Sequence, residues 1–88
     1  MAADEELRAR LLCGELGALE DAYDEHAPSV YGLALRVTGS PAIAEEITEE
    51  VFTALWERPG AYDPRHGTLR AWLVTRGLHE SALRSKVG

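Results

Sequence analysis

No run of about 18 apolar residues occurs in this sequence, so no segment is long and apolar enough to cross a membrane as a helix. The opening MAADEELRAR is acidic and lacks the basic-then-apolar order of a secretion signal. Cys13 is the only cysteine, which excludes an internal disulfide and fits a reducing cytoplasm. No HExxH, CxxC or glycine-rich phosphate loop is present, and His26, His66 and His79 lie far apart. These absences argue against hydrolytic, redox and metal chemistry. No catalytic residue, cofactor or metal site is expected. Internal repeats, strand pairs and low-complexity segments are also missing.

What is there suits one domain spanning residues 1–88. A chain of this size buries about 60–65% of its unfolded surface, enough for one modest core. The residues are 45% hydrophobic, which argues against disorder. The apolar set is rich in Leu and Ala, and β-branched residues are scattered. The expected fold class is all-α, a compact bundle of three to four helices.

Hydrophobic period places those helices. Asp4–Cys13 is helix-prone, with Leu7, Leu11 and Leu12 facing inward and a break near Gly14 and Gly17. Leu16 to about Thr38 is the longest helix. Its inward positions by steps of three and four are Leu16, Leu19, Tyr23, Ala27, Val30, Tyr31, Ala34 and Val37. Pro28 falls inside this pattern and predicts a kink or short break. Gly39-Ser40-Pro41 is a tight corner that sets the next helix antiparallel. In Ala42–Glu57 the stripe is Ala44, Ile47, Val51 and Leu55, with Phe52 and Ala54 at its margins. Ser40 can cap this helix, and Pro41 suits its first position. Arg58–Gly67 holds two Pro and two Gly and reads as a loop. Thr68 can cap a last helix with Leu69, Trp72 and Leu73 inward and Leu83 as a weaker continuation. Gly77 inside that helix costs about 1 kcal/mol relative to Ala and loosens it.

Charge divides along the chain. Residues 1–57 carry thirteen acids against Arg8, Arg10 and Arg36. Residues 58–88 carry Arg58, Arg65, Arg70, Arg76, Arg84 and Lys86 against Asp63 and Glu80. Such a split suggests two partners of opposite charge. Glu45, Glu46, Glu49 and Glu50 cover the outer face of the third helix. A bare charge run of this kind is most simply a solvated helix face. Four glutamates spread over two turns do not converge on a point as calcium or magnesium ligands must.

The string AEEITEEVFTALW gives that face a second meaning. It resembles the core-binding segment in the second conserved region of the extracytoplasmic-function sigma factors. Asp24-Glu25-His26-Ala27-Pro28 and Tyr31–Gly39 resemble the family's preceding helix. Tyr62–Leu73, YDPRHGTLRAWL, resembles its next loop and helix. The likeness runs over roughly residues 16–75.

The resemblance implies a transcription-initiation domain that docks on a coiled coil of the largest catalytic subunit of core RNA polymerase. The implied contacts are Glu46, Glu49 and Glu50, with Phe52 and Trp56 packing beside them. The family usually has glutamine at the place of Glu49. Phe52 and Trp56 are equally readable as core residues. The loop would accept a base flipped from the promoter's minus-ten element, and the last helix would hold the non-template strand. The residues offered for this are Tyr62, Arg65, His66, Arg70, Trp72, Arg76, His79 and Arg84. Core packing is the competing reading for Trp72, and a solvated face for the arginines. After Trp72 the chain departs from the family's Thr-Ile-Ala-Arg-Asn-like run. It has Leu78 and His79 at the Arg-Asn positions, and Glu80 adds a negative charge. The alternative is therefore a degenerate sigma-like module that binds polymerase or an anti-sigma factor without reading DNA. Nothing in the chain resembles the family's second, helix-turn-helix domain. A cytoplasmic location with no membrane partner is expected.

Overall fold

The computed structural model describes the backbone of residues 2–87 and the side chains of residues 3–85. Four α-helices occur among the described residues: α1 Ala2–Leu12, α2 Leu16–Thr38, α3 Pro41–Glu57 and α4 Leu69–Val87. Two short 3-10 turns, Pro59–Ala61 and Pro64–His66, lie between α3 and α4. No strand is present among these residues, and no helix is long and apolar enough to cross a membrane. The side chain of Lys86 lies outside the described residues.

The local rules hold best in α3. Ser40 Oγ accepts from the Ile43 N–H at 3.3 Å, and Pro41 occupies the first position. Ala44, Ile47, Val51 and Leu55 are buried as the stripe requires. Phe52 is buried with them, a core residue rather than a marginal one. Thr48 is buried too, and its hydroxyl donates to the Ala44 carbonyl at 2.8 Å, so no unpaired polar group enters the core. The corner before α3 needs a left-handed residue. Gly39 supplies it at φ 69°, and its N–H closes the end of α2 on the Leu35 carbonyl at 2.8 Å. Tyr23 meets Phe52, while Pro28 and Tyr31 neighbour Glu45 and Thr48. The two helices therefore run antiparallel.

α2 differs in part from what its sequence suggests. It passes through Pro28 without a break. Asp24 and Pro28 both lie on the exposed side, where water can serve the carbonyl that the missing N–H leaves. Its inward face includes the expected Ala27, Val30 and Ala34 but not the largest apolar residues. Ala18, Ala22, Ala27, Val30 and Ala34 are buried, whereas Leu16 is 58% and Tyr23 43% exposed, and Val37 is exposed as well. The reason is crowding. α2 packs against α1, α3 and α4, and small side chains let three neighbours approach one axis. In α1, Leu11 is buried and Leu12 points out at 53% exposure.

α4 differs in the same way. Thr68 Oγ1 accepts from the Ala71 N–H at 3.1 Å, as a cap should. Its buried seam then runs Leu69, Leu73, Gly77 and Ser81, and Leu83 is 48% exposed instead of continuing the core. A Cβ at Gly77 would come within 3.1 Å of Val30 Cγ1. Gly77 therefore marks a close approach of α4 to α2 and does not simply loosen the helix. Ser81 Oγ donates back to the Gly77 carbonyl at 2.7 Å, which satisfies a buried hydroxyl.

Candidate functional site

Two surfaces carry the charged and aromatic residues singled out above. The first is the outside of α3. Glu46, Glu49 and Glu50 are all exposed there, but they do not stand alike. Arg84 reaches across from α4 and binds two of them. Its Nη1 lies 3.0 Å from Glu46 Oε1 and its Nη2 lies 2.6 Å from Glu50 Oε2. Hydrogen bonding to Glu46 and the charge of Glu50 raise the already high pKa of this guanidinium. Arg84 was expected on the nucleic-acid side, and it instead joins α4 to the acidic face.

Glu49 is left on the other flank. It lines a groove of about 700 Å³ between α2 and α3, together with Leu19, Tyr23, Phe52 and Trp56. Phe52 is the buried floor, and Trp56 is half-buried at the end. Tyr23 packs edge-on against Phe52, with ring centroids 5.0 Å apart and planes at 62°. Glu20 and Asp24 complete an acidic rim. Sequence reasoning assigned Tyr23 to the core, because its step along α2 matched the large apolar residues.

The second surface lies where the loop meets α4. A groove of about 360 Å³ is lined by Tyr62, His66, Trp72, Thr75 and Arg76, among others. Tyr62 is only 2% exposed, and its hydroxyl donates to the Gly67 carbonyl at 3.0 Å. It works as an anchor for the loop and offers no free ring face. Burial, with the nearby Asp4 carboxylate, pushes its phenol pKa up. Trp72 is half-buried and edge-on to Tyr62, centroids 6.1 Å apart. The Arg76 guanidinium sits 5.2 Å from the Trp72 ring centroid, within cation–π range.

The other expected cations are less available. Arg65 folds back on Asp63, with Nη2 3.0 Å from Oδ2 and its backbone N–H 2.9 Å from Oδ1. These bonds, side chain first and backbone second, hold the Asp63 carboxyl down at about 2. His66 Nε2 is also 3.5 Å from Asp63 Oδ2. Arg70 is exposed and does not line the groove, while His79 shares a separate hollow with Thr75, Arg76 and Glu80. Of the residues expected to contact DNA, the structure gathers Tyr62, His66, Trp72 and Arg76 in one groove. It leaves Arg65, Arg70 and His79 outside that groove and pairs Arg84 with α3.

Two residues missed by the sequence reading hold this second surface from beneath. Arg8 Nε donates to the Tyr62 carbonyl at 2.7 Å. Asp4 Oδ2 accepts from the Leu69 N–H, the first of α4, at 3.0 Å. The partners are 54 and 65 residues away in the chain, so no local signal could have shown them. Among the described residues, no group of three or more His, Cys, Asp or Glu side chains is arranged to hold a metal ion.

The family model for Sigma-70 region 2 matches residues 22–86. The ECF RNA polymerase sigma factor SigK of Mycobacterium sp. strain KMS is 36% identical over 61 residues, covering 69% of this chain and 32% of that protein. The SigK of Mycolicibacterium vanbaalenii is 40% identical over 53 residues, covering 60% of this chain and 27% of that protein. The SigK of Mycobacterium bovis BCG is 32% identical over 69 residues, covering 78% of this chain and 37% of that protein. The chain thus spans about a third of the length of these curated relatives. No solved structure matches it significantly.

Proposed function

The chain belongs to the Sigma-70 region 2 family, and from that membership we propose that it serves in transcription initiation as the region 2 part of an extracytoplasmic-function sigma factor. It binds core RNA polymerase through the outer face of α3 and the promoter minus-ten element through the groove between the loop and α4. The observation that carries this reading is the family match over residues 22–86, which takes in most of α2, all of α3, the loop and nearly all of α4.

The geometry suits both tasks. Carboxylates spaced along α3 can meet arginines of a partner in charge-assisted, bidentate hydrogen bonds. Glu49 is ready for this, with Phe52 as floor and Trp56 as an apolar neighbour. Glu46 and Glu50 enter only by exchanging Arg84 for a cation of the polymerase. At the loop, Trp72 and Arg76 form a planar, cationic wall on which an unpaired base can stack, and His66 lines the same groove. Arg70, exposed on α4, can neutralise a backbone phosphate.

Charge reversal at Glu49 tests the docking half. Glu49→Lys is expected to lower affinity for purified core polymerase by about tenfold or more, in line with breaking a desolvated charge pair at an interface. Its exposed position means that thermal stability stays close to the parent's. Unchanged co-purification with core enzyme would remove the acidic face from the interface.

A further inference from the structure

We propose that α1 is a brace for the groove at the loop–α4 junction, and that Arg8 and Asp4 are its positioning residues. The inference rests on the proposed nucleic-acid role of that groove, and it gives a part to a helix that lies wholly outside the family match of residues 22–86. The two contacts bracket the whole segment in question. Arg8 holds the carbonyl of Tyr62, between the two 3-10 turns, and Asp4 holds the N–H of Leu69, where α4 begins. Everything between them, His66 and the Tyr62–Gly67 hydrogen bond included, is fixed at both ends from α1.

Both bonds fill vacancies that the segment cannot fill itself. The first N–H groups of a helix have no partner within it. Thr68 Oγ1 serves Ala71, and the Thr68 carbonyl serves Trp72. The Leu69 amide has no such local acceptor, and its side chain is buried, so a remote carboxylate takes the place of water. Asp4 also brings negative charge to the positive end of α4. Arg8 carries out the matching task on an acceptor. Its donor is an ionised group, and such hydrogen bonds are stronger than neutral ones. The Tyr62 carbonyl it holds belongs to the residue whose buried ring meets Trp72 edge-on. Moving the Tyr62 backbone therefore moves a wall of the groove.

A brace and a mere stabilising contact predict different patterns. Amide hydrogen exchange is compared in the whole chain for Arg8→Ala, Asp4→Leu and Asp4→Asn. Quenching of Trp72 by acrylamide is followed in the same variants on a Trp56→Phe background. Arg8→Ala and Asp4→Leu are expected to speed exchange of the described amides of residues 62–72 by about fivefold, as loss of one hydrogen bond allows. Trp72 should become more quenchable, while Ile47–Leu55 keeps its parental exchange. Asp4→Asn retains an acceptor oxygen and should stay close to the parent. A uniform rise in exchange along the chain would overturn the brace, and so would an unchanged loop or an Asn variant as loose as the Leu one. A second arm measures a labelled non-template minus-ten oligonucleotide on the chain assembled with core polymerase. There the two loosened variants should lose affinity together. An unmodified complex that ignores the oligonucleotide would overturn the nucleic-acid role of the groove, and the exchange pattern would still decide the brace.

Discussion

The α3 face and the loop–α4 groove are built on opposite principles. α3 is specified by its own seventeen residues and the serine just before them: a serine cap, a proline start, an apolar stripe and glutamates on what is left. The groove has few such internal instructions. Its loop carries two 3-10 turns, and its shape depends on Tyr62 buried from one side and on Arg8 and Asp4 reaching in from the other end of the chain. One surface follows from period, while the other is assembled from contacts distant in sequence. A locally coded surface should answer to substitution by changing charge and leaving shape alone. A remotely held surface should change shape when residues that touch no ligand are altered.

The largest expected effect lies in the core that supports both. Leu55 is fully buried beneath the α3 face, and Leu55→Ala should cost about 2–5 kcal/mol in chemical denaturation. A cost below about 0.5 kcal/mol, the range of ordinary surface changes, would show that the α3 stripe does not carry the core. Next comes the seam of α4. Helix propensity alone favours replacing Gly77 by any residue but proline. The 3.1 Å approach of a Cβ to Val30 Cγ1 says the reverse, so Gly77→Leu should destabilise by about 1–3 kcal/mol through overpacking. A gain in melting temperature would mean that α4 sits farther from α2.

A smaller effect probes the link between the two surfaces. Removing Arg84 frees Glu46 and Glu50, so Arg84→Ala should strengthen binding to core polymerase by up to about fivefold, the range set by exposed ion pairs. Weaker binding would show that Arg84 itself belongs to the interface. The smallest effect is a titration. Asp63 should release its proton near pH 2, below the usual carboxylate range, because Arg65 stabilises its charged form. A depressed carboxyl favours the folded loop above its unfolded pKa of about 3.9, and that contribution disappears as pH falls through 2. A side-chain carboxyl resonance of Asp63 that titrates near 4 would mean that Arg65 is free.

How much could be read in advance follows the same division. The all-α outline of three to four helices, the α2 bounds, the Gly39–Pro41 corner and the α3 stripe all rest on local signals, and they were legible. The inward face of α2 was legible only in part: Ala27, Val30 and Ala34 were expected inward and are buried. Hydrophobic period favours Leu16, Tyr23 and Val37 for their size, whereas a helix packed on three sides also selects Ala18 and Ala22 for their smallness. The same bias placed Leu83 inward and read Gly77 as a weakness. In the candidate site, Glu49, Trp72 and Arg76 were named from the resemblance, and each lines one of the two grooves. The pairing of Arg84 with α3, of Arg65 with Asp63, and of α1 with the loop depends on where side chains end in space, which residue types alone do not state.

The Arg84 bridge carries a consequence for ionic strength. Dissolved salt screens exposed charges over about 8 Å at physiological concentration. Screening weakens attraction between the α3 carboxylates and a cationic partner, but it also weakens the hold of Arg84 on Glu46 and Glu50. The two changes act in opposite directions on docking. Association through this face should therefore decline less with added salt than its exposed glutamates alone would imply, as if the protein carried its own counterion.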